Sequence, residues 1–227
     1  MASPSLPASS LLRLSLLRLS VIVGLAAGLS APADAEHQYV GAGKCGTCHK
    51  KELIGNQLAV WRAGPHARAY ETLTSERSAS LAAERGLAVP AHEAAECLEC
   101  HATSQAVPEE RRAYPLEITD GVQCESCHGP GRDYRKKSIM SNRGEALTKG
   151  LWEAGKDSGL CTRCHNDRSP TFDPERYVLP DGSTLGFEFD LAKQRILHEI
   201  PPEVKGNYVE LEKKQKAEAR RRRAEGR

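Results

Sequence analysis

The chain has 227 residues, of which 39% are hydrophobic, only 5% aromatic and 27% charged, with a formal net charge of +2. That length suits one domain or two small ones, but so few large apolar side chains offset the entropy of ordering a chain poorly. Something other than side chains is expected to fill the interior. The charge is uneven: from Lys213 onward eight Lys/Arg face only Glu218 and Glu225, giving +6, and the first 35 residues contribute +1, which leaves −5 for residues 36–212. An acidic body of this kind excludes a basic nucleic-acid-binding domain.

In chain order, residues 1–20 carry Arg13 and Arg18 without an acid, and an apolar run follows at 21–29. Ala31-Pro32-Ala33-Asp34-Ala35 then resembles a small-x-small cleavage site. This pattern predicts a signal peptide over 1–35, removal after Ala35, and a periplasmic, soluble mature chain from Glu36. The apolar run is short of the ~20 residues that a membrane span needs, and no later segment is apolar enough to cross. Helices are predicted over 61–73 and 76–85, closed by Gly86 and Pro90. A short strand is predicted over 114–118, ended by Asp120-Gly121. Gly129-Pro130-Gly131 reads as a tight turn that lets backbone or another bulky group approach closely. Helix is predicted again over 143–151, and Pro170, Pro174 and Pro180-Asp181-Gly182 mark an irregular stretch. A last packed helix is predicted from Asp190, as N-cap, to before Pro201-Pro202. The polar end, 204–227, reads as a basic tail that is either a solvated helix or disordered. The fold class is therefore mostly α with extensive loops, with the domain at 36–203.

The eight cysteines form four pairs at one spacing: Cys45/Cys48, Cys97/Cys100, Cys124/Cys127 and Cys161/Cys164. Each pair is followed at once by a histidine: His49, His101, His128 and His165. Cys-x-x-Cys-His is the attachment signature of c-type haem. The thiols form thioethers to one porphyrin, and the histidine reaches its iron from the same side. Zinc ribbons do not require a histidine after every pair. Disulfide frameworks have no reason to repeat one five-residue pattern, and thioredoxin-like motifs come singly beside a βαβ unit that is missing here. The cofactor expectation is four haem c, with the four following histidines as proximal ligands.

The distal side of each iron draws on the remaining donors. His37, His66, His92, His198 and Met140 are the candidates. His66 follows Pro65, which can open a helix, beside the small Ala67 and Ala69. His198 stands at the end of the predicted last helix. His92 is five residues before Cys97 and would suit the haem of another motif better than its own. His37 is next to the predicted mature terminus, where chains fray. Met140 is a core residue or a ligand.

At this point the residues resemble the cytochrome c554 family. The resemblance is carried by Tyr39-Val40-Gly41-Ala42-Gly43-Lys44-Cys45 through His49, by Trp61 and Pro65-His66-Ala67, by Gly121 through Arg132, and by Phe189-Asp190 leading to His198. It spans roughly 39–202. It implies a multihaem cytochrome c fold organised around four covalently bound haems in closely stacked pairs. It also implies distal ligation by His66 and His198 and an open coordination position at the haem of His101. Where the family pattern has a further distal histidine this chain reads Tyr134 to Met140, so either His92 or Met140 substitutes or a second haem is open.

The functional expectation is a periplasmic electron carrier or relay. Its partners would be redox proteins: other cytochromes, or quinol-linked and terminal oxidoreductases. Nucleic acid is excluded, and a weak membrane-surface contact through the basic tail is retained. Two alternatives stand beside it: an enzyme acting on a small nitrogen or sulfur species or nitric oxide at a five-coordinate haem, and a subunit of a cytochrome assembly.

Overall fold

The computed structural model describes residues 37–226; the predicted signal peptide lies outside them. Short helices separated by long loops make up the body. In order they are α1 (Ala42–His49), α2 (Gln57–Ala63), α3 (Ala69–Thr72), α4 (Glu76–Glu84), α5 (Ala95–His101), α6 (Thr103–Ala106), α7 (Glu125–His128), α8 (Lys137–Met140), α9 (Arg143–Thr148), α10 (Gly159–Thr162), α11 (Phe189–Gln194) and α12 (Tyr208–Glu225). Among the described residues the strands are β1 (Tyr177–Val178) and β2 (Thr184–Leu185), an antiparallel pair. This is the mostly helical, loop-rich class expected from the sequence.

The apolar core is small. Leu73, Ala82, Ala91, Leu98 and Ala102 form its buried cluster, with Tyr70, Leu87, Cys97 and Ile118 packed against them. α3, α4 and α5 supply most of it, so the second Cys-x-x-Cys-His segment sits on the best-packed part of the chain. The extended residues 38–41 are tied to 111–113: Tyr39 N–H donates to the Arg111 carbonyl at 2.8 Å and Ala113 N–H to the Tyr39 carbonyl at 2.8 Å.

Several local expectations shift. The helix predicted over 61–73 is broken between α2 and α3. Gly64 precedes Pro65 and is extended (φ −80°, ψ 167°), as a residue before proline prefers. His66 therefore lies in a turn, and its carbonyl accepts from Val122 N–H at 2.9 Å. The strand predicted over 114–118 does not form: Pro115 has no N–H for a ladder, and the segment ends in a 3₁₀ turn at Ile118–Asp120. The irregular stretch holds the β1–β2 hairpin, closed by Gly182 at φ 83°. The last packed helix starts two residues earlier than predicted and ends sooner, at Gln194. Its cap is Glu188, whose carboxylate accepts from Leu191 N–H, and His198 follows it in coil.

The boundary before the tail also moves. Val204 (3% exposed) and Glu212 (6%) are buried. Glu212, on α12, pairs with Lys51 and Lys137 and accepts from the Tyr208 hydroxyl at 3.0 Å. The chain to residue 212 is thus packed on the body, and the exposed basic helix begins at Lys213.

Candidate haem sites

Each Cys-x-x-Cys-His segment is a helical turn. α1 carries Cys45, Cys48 and His49; α5 carries Cys97, Cys100 and His101; α7 follows Cys124 with Cys127 and His128; α10 holds Cys161, with Cys164 and His165 in the turn after it. At this spacing the first cysteine and the histidine are i and i+4, neighbours on one helix face. All eight cysteines are free thiols and half-buried, so they remain available to a group bound along that face.

The histidines are prepared as ligands. His49 Nδ1 meets Gln57 Oε1 at 3.2 Å, His101 Nδ1 the Ala69 carbonyl at 2.8 Å, and His198 Nδ1 the Ile196 carbonyl at 2.8 Å. These oxygens only accept, so Nδ1 carries the hydrogen and Nε2 is left with its lone pair for a metal. Burial holds His128 down at about 4, assisted by His198 and His49. Burial likewise lowers His66 and His165, so these rings are neutral at neutral pH, as metal binding requires.

Two opposed imidazole pairs test whether haem fits. His66 and His165 have ring centroids 6.1 Å apart, and His128 and His198 5.9 Å apart. Metal–imidazole bonds are about 2.0–2.1 Å. With each centroid about 1 Å behind its nitrogen, opposed axial rings lie about 6 Å apart. Both pairs have that spacing, and each joins a proximal histidine to one of the two distal candidates. The residues present therefore fit haem iron at the third and fourth motifs. Phe187 stacks on His165 at 5.4 Å and 21°, fixing that ring from a third side.

The remaining distal candidates are placed differently. His92 is in a turn with Nε2 3.5 Å from Glu93 Oε1. His37 Nδ1 bonds Asp133 at 2.8 Å, and the ring packs on Gly150. Met140 is half-buried at the end of α8. Among the described residues, neither His49 nor His101 has a second histidine ring stacked or edge-on to it.

The four motif segments neighbour one another in a fixed order. The Cys45 thiol is pushed up and the Cys124 thiol down, each chiefly by the other. Cys127 is pushed up to about 11 by burial and then by Cys161. Cys164 is pushed up to about 12 by burial and then by its neighbour Cys100. Neighbouring segments run from first to third to fourth to second motif, the first joined to the third where Val40 and Gly41 N–H donate to Glu125. Hydrogen bonds reinforce that order: Arg163 donates to the Ser126 carbonyl at 2.7 Å, and Arg168 pairs with Glu99 at 3.4 Å.

Sequence reading missed the residues that orient these ligands. Gln57 and the Ala69 carbonyl carry no motif. Gly121 was legible only as a turn, yet its φ of 60° and its closeness to the His66 carbonyl, 2.6 Å from where a Cβ would stand, seat the His66 loop. Trp61 Nε1 donates to the Val122 carbonyl at 2.9 Å and clamps the same loop.

A chain that presents paired thiols and backed imidazoles in this way has the residues to hold c-type haem, on a mostly helical, loop-rich fold. Comparison with known proteins specifies the resemblance. Residues 44–129 match the family described as cytochrome c554 and c-prime. Cytochrome c-554 of Nitrosomonas europaea is 31% identical over 156 residues, which cover 62% of this chain and 62% of that protein. The chain thus spans about three fifths of the length of that curated relative. The solved structure of reduced cytochrome c554 from the same organism is 23% identical, covering 70% of this chain and 78% of that one at a TM-score of 0.44. The resemblance to the cytochrome c554 family read from the motifs is borne out.

Proposed function

We propose that the protein is an exported tetrahaem cytochrome, carrying one haem c at each motif, that relays electrons between redox proteins in the periplasm. The observation that carries this reading is the pair of opposed histidines, His66 with His165 and His128 with His198, at the spacing of two axial ligands. Bound haem supplies one-electron exchange at iron, with a potential set by axial ligands, burial and hydrogen bonds. The chain's own residues do the rest. The eight thiols hold the porphyrins covalently. His49, His101, His128 and His165 ligate from the proximal side. His198 closes the third iron and His66 the fourth, which keeps small molecules off both. His37, His92 and Met140 are the remaining donors for the first and second irons. The order of neighbouring motifs supports a relay with its ends at the first and second sites. The exposed basic residues from Lys213 onward suit an acidic redox partner, with contact to an anionic membrane surface as the weaker alternative.

Voltammetry of the purified holoprotein adsorbed on an electrode tests the relay. The expected result is reversible reduction of four centres; centres that take up no electrons reversibly would refute it.

A second reading rests on one observation: the two histidine pairings leave the His49 and His101 sites without a second histidine ring among the described residues. An open iron there would act on a small nitrogen or sulfur species or nitric oxide. A high-spin ferric resonance that changes when nitric oxide, nitrite or hydroxylamine is added supports it, and a fully low-spin spectrum removes it.

A further inference from the structure

Glu125 stands between Cys124 and Ser126 inside the third motif, and its side chain is 0% exposed. Its carboxylate collects donors from both sides of the molecule. Val40 N–H donates to it at 2.9 Å and Gly41 N–H at 2.8 Å, both just ahead of α1 and the first motif. Gly131 N–H donates at 2.6 Å from the turn after the third motif, and Gln123 Nε2 at 3.0 Å. Every partner is a donor, so the group acts as an ionised acceptor with its lone pairs in use. No Lys or Arg pairs with it among the described residues; backbone dipoles and one amide hold the charge. Among the described residues its hydrogen-bond partners lie beside the first and third motifs. Gly131 is closely packed on that side: a Cβ there would stand 3.1 Å from Glu125 Oε1 and 3.3 Å from Val40 Cγ2.

We infer that Glu125 is a positioning residue shared by the first and third haem sites, locking α1 to the turn after the third motif, and that its buried charge lowers the reduction potentials of those two haems relative to the other two. Reduction adds an electron, and a fixed negative charge in a poorly screened interior opposes it. The field falls on two sites because the carboxylate lies between their attachment segments. A gradient across the four sites follows, with the first and third haems held low.

This rests on haem at the first and third motifs, so haem content is measured on the same samples. The test is a spectroelectrochemical titration of holoprotein in three forms: wild type, Glu125→Gln and Gln123→Leu. Glu125→Gln removes the charge at nearly constant shape, and two of the four potentials are expected to rise while the other two hold. Gln123→Leu removes one donor and leaves the carboxylate less compensated, so the same two are expected to fall. It also removes the Gln123 Oε1, a buried atom without a hydrogen-bond partner in the structure, so this variant is the safer one to mature. Opposite signs from the two variants are something a purely structural role would not produce. Unchanged potentials in a haem-replete Glu125→Gln protein, or one shift common to all four haems, would overturn the inference. Should Glu125→Gln fail to mature, an absent or upward shift in Gln123→Leu overturns it alone. A wild type lacking haem at these motifs would instead overturn the functional reading.

Discussion

Truncating His198 to alanine removes one of the two imidazoles facing the third site, and truncating His66 does the same at the fourth. Each variant is expected to convert one low-spin haem to high spin, read by electron paramagnetic resonance, without loss of covalent haem, because the thiols and proximal histidines are untouched. Gly121→Ala tests the loop that carries His66. A side chain at φ 60° with a Cβ 2.6 Å from the His66 carbonyl is expected to cost about 1–3 kcal/mol in denaturant unfolding and to raise the high-spin fraction. The thiols and proximal histidines were legible because attachment chemistry demands one fixed local pattern. Gln57, Gly121 and Glu125 were not, because their roles come from segments distant in sequence, and nothing local separates Glu125 from any other residue between paired cysteines.

Helices α1 and α5 are short and exist chiefly to present cysteine and histidine on one face. Element type was readable where caps and apolar spacing agreed, as in α4, which begins at the Ser75 cap. It failed where a local breaker overrode the spacing: Gly64, extended ahead of Pro65, ends the helical run predicted through His66. Helix α12 was read as a solvated tail because it is polar on every face, yet its first turns are pinned by one buried carboxylate. The Lys137 and Lys51 ammonium groups hold Glu212 well below the usual carboxylate range. The stabilisation this pairing adds is full above the ordinary glutamate value of about 4.3 and is lost as pH falls below it toward the depressed value. Tryptic cleavage after Lys213 should therefore be slow in wild type at neutral pH and fast in Glu212→Gln. Helicity of the wild type should persist to below about pH 4 before α12 loosens. Equal cleavage rates in the two proteins would show that the pairing does not anchor the helix.

Across the whole molecule, 5% aromatic residues and an apolar cluster built largely of alanine beside α3–α5 leave the interior to be filled by something other than side chains, as the proposed haems would do. The order of neighbouring motifs, first to third to fourth to second, could not be read from sequence order, since it is set by bonds between distant segments, as between Gly41 and Glu125, 84 residues apart. The account stands on each motif holding one haem through both thiols. Haem per chain, counted by pyridine haemochrome absorbance on denatured, acid-solvent-extracted protein, tests this most directly. Four haems that stay with the polypeptide are predicted; fewer than four, or haem that extracts away, would contradict it.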